Sequence, residues 1–418
     1  MASVKTNFLK GKKIIVAGSG IAGLAFVVAL RKQWNPSLNF PEIVIYDRDS
    51  RDGSLKREGY SLSLNGMDRD SGLVAVRDLG LLDEILKHAV TGPNSVKSFH
   101  MWDREWNSRL EMSFKPYDEL PTAGIRVARK DLRNILTAVG ESANDIIWGT
   151  SCASAERLDS GRIRVQLSRS DGSAGPETDE CDLLIAADGA HSKIRASFRP
   201  DDGLIYRGVV QLGGIAKFPN GISKPMDESW GIAVSGQGVS CFMSLVDKTS
   251  VVWALSREEA QVRPKLDSSS PEATKALIDE AKQIGHMLGG PFPAIVAATD
   301  PSTAFVIPAH DKLPFSHETT PEGVVFIGDS NHAVSPFAGN GANLALKDGW
   351  DLATELCRGG TLEAAVSAYD KLAIPRAVKT IRSSHQRMGA AHCTGIKFTL
   401  LRGVFGVGNW FMWLAGKS

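Results

Sequence analysis

Residues 14–17, 183–187 and 324–327 form short, unbroken apolar runs, each closed by glycine or aspartate. Runs of that length predict strands buried on both faces, the kind found inside a parallel sheet. The first extends over residues 12–17. Helical spacing over 21–33 and a second strand at 42–46 complete an opening βαβ unit. Helical spacing returns over 73–88, where Gly80 breaks it, and over 130–139, with leucines at 132 and 136. Residues 162–167 alternate polar with apolar and predict an exposed antiparallel strand. From about residue 205 to 256 the pattern changes to short apolar runs between Gly, Ser and Asn clusters, at 208–218, 229–234, 241–246 and 251–255. That pattern predicts an antiparallel sheet with one face turned to a cavity. A helical stretch over 271–287 follows, and the chain rejoins the first domain near Phe305.

Length and composition set the scale. At 418 residues, 43% hydrophobic and 23% charged, the chain has material for two or more cores. A formal net charge of +1 gives no electrostatic reason to expect nucleic acid or an anionic membrane as partner. The five cysteines are scattered and include no C-x-x-C pair, so neither a disulfide framework nor a metal site is expected. A reducing, cytoplasmic setting fits that usage. The start is polar, and its first apolar run reads as a strand rather than a signal peptide. Residues 398–415 are rich in Phe, Leu, Val, Trp and Met but are interrupted by Arg402, Asn409 and three glycines. They predict a terminal helix packed on the protein better than a membrane span, with membrane contact or a dimer patch as alternatives.

Two glycine-rich turns carry the chemistry. Gly18-Ser19-Gly20-Ile21-Ala22-Gly23 follows a strand and opens a helix. In that context Gly18 allows a tight turn, Gly20 admits a pyrophosphate and Gly23 permits close helix–strand packing. The positive end of the helix faces the phosphates. Asp47, closing the second strand, is placed to accept from both hydroxyls of a ribose, with Arg48 beside it. At the far end of the chain, Gly328-Asp329 runs into Pro336-Phe337-Ala338-Gly339-Asn340-Gly341-Ala342-Asn343, where another helix opens. There Asp329 can accept from a polyol, and backbone N–H groups of Gly339 to Asn343 can face an anionic ring edge. Pro336 stiffens the approach, and Gly341 is a candidate for positive φ. A third site, Asp188-Gly189 with Ser192 and Arg195 at fixed offsets, closes the 183–187 strand. The first motif alone fits NAD, NADP or FAD; the other two do not belong to a simple NAD dehydrogenase.

Together the three motifs resemble those of the single-component class A flavoprotein monooxygenases, the FAD-dependent aromatic hydroxylases. The resemblance covers roughly residues 12–375. Length and the loop around Gly59 and Tyr60 bring the tetracycline-inactivating and fungal specialised-metabolism members nearest. It implies an α/β fold: a Rossmann-like FAD-binding domain of the glutathione-reductase type, an inserted and mainly antiparallel substrate domain, and a C-terminal helical segment. The implied boundaries are 10–90, 123–200 and 303–375 for the FAD domain, 91–122 and 201–302 on the substrate side, and 376–418 at the C-terminus. Arg129 takes the position of the family's R-x-x-L arginine near the FAD phosphate or ribityl chain, and Gly59 joins the cofactor set. Non-covalent FAD, with NADPH or NADH as transient reductant and O2 as co-substrate, is implied. So is transfer of oxygen through a flavin C4a-hydroperoxide to an electron-rich, cyclic or polycyclic small molecule. Ser330-Asn331 departs from the small apolar residues usual after Gly-Asp, and Asp47 stands where a glutamate is commoner. His332 matches a family position and reads as a hydrogen-bonding structural residue.

On the substrate side, Gln211, Trp230, Met243 and Trp253 are candidates for the cavity-facing side, though ordinary packing also accounts for them. Arg195, Arg207 and Gln211 are the candidate catalytic residues, and Arg195 reads equally as a structural partner of the Asp-Gly motif. A flavin oxidase or dehydrogenase shares every FAD motif and stays open. A non-enzymatic carrier of the GDP-dissociation-inhibitor type needs neither Asp329 nor the Gly339–Gly341 turn. Monomer and homodimer are both compatible.

Overall fold

A computed structural model describes residues 6–51, 61–90, 98–141, 145–172, 177–227, 230–400 and 403. Gly59, and all but a few positions of the apolar C-terminal stretch, lie outside the described residues. The chain divides into two compact units. One comprises residues 1–87, 129–205 and 311–382; the other comprises 88–128, 206–310 and 383–418.

The three apolar runs meet in the first unit. Lys13–Ala17 is central, with Leu183–Ala186 parallel on one side and Glu42–Tyr46 parallel on the other. Val324–Phe326 and Asp145–Ile147 extend the sheet at its two edges. Ile14, Ile15, Leu184, Ile185 and Phe326 are wholly buried, as strands covered on both faces require. The Ile21–Gln33 helix packs tightly on the Gly341–Cys357 helix: a Cβ at Gly349 would lie 2.5 Å from Phe26 N. Gly80, in left-handed conformation at φ +80°, ends one helix at Leu79, and a second runs Leu82–Lys87. The strand at Ile163–Arg169 is antiparallel as expected, but only half exposed. Ile163 and Val165 point into the core beneath a three-stranded sheet completed by Thr150–Arg157 and Thr178–Cys181.

The second unit is built on a seven-stranded sheet. Its order is Thr299–Asp311, Ile205–Lys217, Ser250–Glu258, Val239–Leu245, Trp230–Val234, Ser98–Trp102 and Ser108–Ser113. Side chains alternate between its faces. One face, with Val210, Leu212, Leu255, Cys241 and Trp102, forms a sealed core against the Pro271–Ile284 and Phe292–Ala297 helices. Met243 and Trp253 belong to that face and are 0% exposed, and Trp253 Nε1 donates to Thr299 Oγ1 at 2.8 Å. Both were candidates for the cavity side, and the pleat puts them on the other. Gln211 and Trp230 do lie on the opposite face, Trp230 beside the half-buried Phe99, Met101, Ile232 and Phe242, and Gln211 buried three strands away.

Candidate functional site

The two glycine turns and the strand-ending aspartates all lie in the first unit. Gly18 has φ +105°, and a Cβ there would sit 2.6 Å from Ala187 O. A Cβ at Gly23 would overlap Gly18 O, so this glycine is required by packing. Gly20 differs from both: its φ is an ordinary −71°, and a Cβ would meet no protein atom within 4 Å. The protein leaves that space open. The first intrahelical bond, Leu24 N to Gly20 O, leaves the N–H groups of Ile21, Ala22 and Gly23 ahead of the ladder.

Asp47 does not stand free for both hydroxyls of a ribose. Its Oδ2 accepts from Ser19 N (2.8 Å), Ser19 Oγ (2.6 Å) and Arg133 Nη2 (3.3 Å), and its Oδ1 accepts from Asp49 N (2.9 Å). With about two accepting positions on each oxygen, Oδ2 is fully engaged and Oδ1 keeps one. The residue ties the phosphate turn to the Arg129–Glu141 helix. Arg133, which sequence reasoning missed, also donates to Ser19 O and lies over the Trp148 ring. Its signal was available: it stands one helical turn after Arg129 and shares that residue's face. Arg48 is exposed, with Asp49 at 3.7 Å as its ion-pair partner.

Asp329 presents an exposed carboxylate while its neighbours Gly328 and Ser330 are buried. Desolvation holds the carboxyl above the ordinary range, against the attraction of His332, Arg129 and Arg195. The corner carrying it is held from several directions. Asp348 accepts from Gly328 N at 2.8 Å and bonds His332 Nε2 at 2.6 Å, and Arg376 reaches Asp348 at 3.0 Å. Lys312 Nζ donates to Asn331 O. The two departures from the family pattern are used here. Ser330 Oγ donates toward Ala186 O, and the Asn331 amide bonds both N and O of Phe315.

Arg195, proposed as a catalytic donor, instead spans three backbone carbonyls, those of Asp202 (2.9 Å), Ser330 (2.7 Å) and Ala190 (2.7 Å). Buried to 4% exposure, it is a clamp between the Asp-Gly and Gly-Asp segments. Asp188 Oδ2 caps the Lys193–Phe198 helix through Lys193 N and Ile194 N, and its buried Oδ1 has no protein partner. Desolvation raises its carboxyl.

In the second turn, left-handed backbone falls at Gly339 (φ +58°), after the short 3-10 turn Pro336–Ala338. Gly341 opens its helix in ordinary conformation, and a Cβ there would lie 3.5 Å from Val334 Cγ2, a normal contact. The requirement for positive φ therefore belongs to Gly339, around which a Cβ would meet nothing. Asn343 is wholly committed: Oδ1 accepts from Asn65 N and Gly72 N, and Nδ2 donates to Ser63 O. Asn340 bonds Asn65 and Thr380. The backbone N–H groups of Gly341, Ala342 and Asn343 stand ahead of the bond from Leu344 N to Asn340 O, where they can face a ligand. Arg129 is half-buried at the start of its own helix. Arg207 and Gln211 lie in the other unit, and Gln211 makes no side-chain hydrogen bond among the described residues.

A parallel sheet with glycine turns at two helix starts and an exposed carboxylate just past a strand end has the make-up of a dinucleotide-binding site. The family model described as "FAD binding domain" matches residues 69–384. The chain is 44% identical over 392 residues to the monooxygenase cfoF of Aspergillus candidus, covering 93% of this chain and 94% of that protein. It is 27% identical over 416 residues to the FAD-dependent monooxygenase adaC of Aspergillus niger, covering 91% and 93%. Among solved structures, HpxO of Klebsiella pneumoniae complexed with FAD and uric acid superposes with a TM-score of 0.75 at 21% identity, over 96% and 93% of the two chains. The tetracycline destructase Tet(51) gives 0.65 at 19%, over 95% and 97%. The chain belongs to the FAD-dependent monooxygenase family, and its cofactor is FAD.

The open volumes at Gly20 and Gly339 fit that cofactor. Replacing Asp329 with Ala is expected to weaken FAD binding roughly tenfold to a hundredfold, the worth of a hydrogen bond to a charged group. Asp188→Ala is expected to act on the fold instead, costing about 1 kcal/mol through the lost helix cap. FAD titration of each apo-variant, with thermal melts alongside, separates the two. Equal losses of affinity would refute this division of roles.

Proposed function

We propose that this protein uses NADPH or NADH and O2 to hydroxylate or epoxidise an electron-rich cyclic or polycyclic small molecule. FAD, when bound, supplies electron transfer from the nicotinamide and activation of oxygen. The chain's own residues supply the rest. N–H groups of Ile21 to Gly23 and the positive helix end would hold the pyrophosphate. Asp329 would take ribityl hydroxyls, and Arg129 the phosphate or ribityl region beside it. N–H groups at 341–343 would stabilise negative charge on a reduced ring without reorganisation.

The observation that carries the substrate reading is the second face of the seven-stranded sheet. It presents Phe99, Trp230 and Phe242, with ring centroids 5.0 and 6.4 Å apart in edge-on pairs, beside Met101 and Ile232. All five are half-buried, whereas the opposite face is sealed. An incompletely covered aromatic face suits a flat apolar body. Arg207 stays a candidate catalytic residue on this unit. The FAD should be held without a covalent link, since no Cys or His stands in a recognised flavin-attachment context.

The test is anaerobic addition of NADPH or NADH, followed by oxygen labelled with the heavy isotope in the presence of a candidate substrate. Bleaching of the flavin band and one labelled oxygen in the product are expected, and acid precipitation should release all the colour. A product that has lost two hydrogens and gained no label would establish the oxidase alternative instead.

A further inference from the structure

The near-neutral charge of the whole chain hides a segregation. Residues 371–418 hold eight Lys and Arg and no Asp or Glu, whereas residues 1–370 carry 40 Lys and Arg against 47 Asp and Glu. Arg376 is spent inside the protein on Asp348 and Asp351. Lys371, Lys379 and Arg382 are exposed on the Leu362–Ala391 helix, and Lys397 is exposed beyond it. A charge asymmetry of this kind points to an anionic partner for the basic stretch.

That stretch also turns apolar side chains to water. After the long helix, Thr394 forms an isolated bridge with Gln237, and residues 395–400 make a short helix. Phe398 seats it: a Cβ at Gly236, whose φ is +73°, would lie 2.4 Å from Phe398 Cε1. With about 100° of turn per residue, Ile396 and Leu400 share the side opposite Phe398. Ile396 is 81% exposed and Leu400 64%, the highest values of any large apolar side chain among the described residues. Phe398 thus packs as expected of the 398–415 stretch, whereas Leu400 does not. Lys397, between them in sequence, has no carboxylate partner among the described residues. The sequence continues with Phe405, Trp410, Phe411 and Trp413 and with the cations Arg402 and Lys417.

Each feature narrows the partner. A nucleic acid would answer the cations but not Ile396 and Leu400. A second copy of this chain would bring the same positive charge to the contact, like against like. Among the described residues no helix is long and apolar enough to cross a membrane, and Arg402 interrupts the apolar run that follows. Aromatic residues and cations together, without acids, suit the boundary between lipid and water.

We propose that residues 395–418 hold the protein on an anionic lipid surface, resting in the headgroup layer without crossing it. Ile396 and Leu400 enter the apolar edge of that layer, and Lys397, Arg402 and Lys417 meet the lipid anions. Apolar insertion and charge act together, so binding needs both.

Flotation of the FAD-loaded full chain with lipid vesicles tests this. One set is phosphatidylcholine alone, and the other contains about 30% phosphatidylserine. The protein should prefer the anionic vesicles by at least about tenfold, and about 0.5 M salt should remove most of that preference. Lys397→Glu should weaken anionic binding by about fivefold or more, the worth of one cation near the surface. Ile396→Ser combined with Leu400→Ser should weaken it by about tenfold. Both side chains already face water, so this double variant should keep the FAD content and melting temperature of wild type. Wild-type protein that ignores anionic vesicles overturns the proposal, and so does a double variant or Lys397→Glu that binds them like wild type. Lipid-free protein that light scattering shows to be dimeric, and monomeric in the double variant, would give the face to a second copy and also overturn it.

Discussion

Gly20→Val is expected to abolish practical FAD binding, by a hundredfold or more, while leaving the melting temperature of the apo-protein nearly unchanged. The contrast follows from what surrounds each glycine in the first turn. A Cβ at Gly20 meets no protein atom within 4 Å, so the fold leaves room for a side chain to start there. It would instead fill the space in which a pyrophosphate approaches the N–H groups of Ile21 to Gly23. Losing those contacts through steric exclusion exceeds the loss of any single hydrogen bond, and a hundredfold corresponds to about 2.7 kcal/mol. Gly23→Ala should do the opposite. Its Cβ overlaps Gly18 O, so the turn itself must shift and stability falls with or without FAD. Flavin titration and apo-protein melts on the two variants provide the comparison. A Gly20→Val protein that retains wild-type affinity would remove this turn from the cofactor site.

Asp348→Ala should be the most damaging single change away from the cofactor, costing about 3–5 kcal/mol, as expected when one partner of a buried ion pair is removed. Asp348 is 0% exposed and answers three groups at once: Gly328 N, His332 and Arg376. Truncation leaves His332 and the buried Arg376 cation without it, and among the described residues Arg376 keeps Asp351 at 2.8 Å and the more distant Asp70. It also frees Gly328, whose φ of +60° and ψ of −141° set the Asp329 corner. Urea unfolding at neutral pH measures the first effect and FAD titration the second. A loss below about 1 kcal/mol would show that the cluster relaxes easily.

The same cluster predicts a pH dependence. Burial would raise the Asp348 carboxyl, but His332 and Arg376 outweigh that and hold it at about 2. Its contribution is therefore complete above the unfolded value near 3.9 and is lost as pH falls toward 2. His332 is raised, its carboxylate neighbours overcoming desolvation. That contribution is complete below about 6.5 and is lost as pH rises through the raised value. Unfolding free energy measured against pH should lose its steep acid limb in Asp348→Ala.

The sequence was most legible where structure is local. A strand, a glycine turn and a helix within about thirty residues satisfy one another through neighbouring atoms. The Ile21–Gln33 helix and the Glu42–Tyr46 strand accordingly fall on their predicted bounds. Glycines at 18, 23 and 80 announce their own constraints. Four of the seven strands of the second sheet were also found, because alternation has a period of two wherever a strand lies, whereas Ser98–Trp102, Ser108–Ser113 and Thr299–Asp311 were not read as strands.

What alternation could not say is which of the two faces is sealed. That depends on where the Pro271–Ile284 and Phe292–Ala297 helices pack, and it put Met243 and Trp253 in the core while leaving Gln211 and Trp230 on the half-open side. Nor could it reveal that Asp47 Oδ2 would be consumed by Ser19 and Arg133, or that Arg195 would spend its donors on three carbonyls. The chain by itself determined the nucleotide-binding topology and the position of each glycine, because those follow from backbone sterics and short-range periodicity. Tertiary structure alone decided which polar groups remain available to a ligand. A hydrogen-bond donor or acceptor is free only after every neighbour brought to it by folding has been counted, and those neighbours, from Asp348 against Gly328 to His392 against Ser256, come from far along the chain.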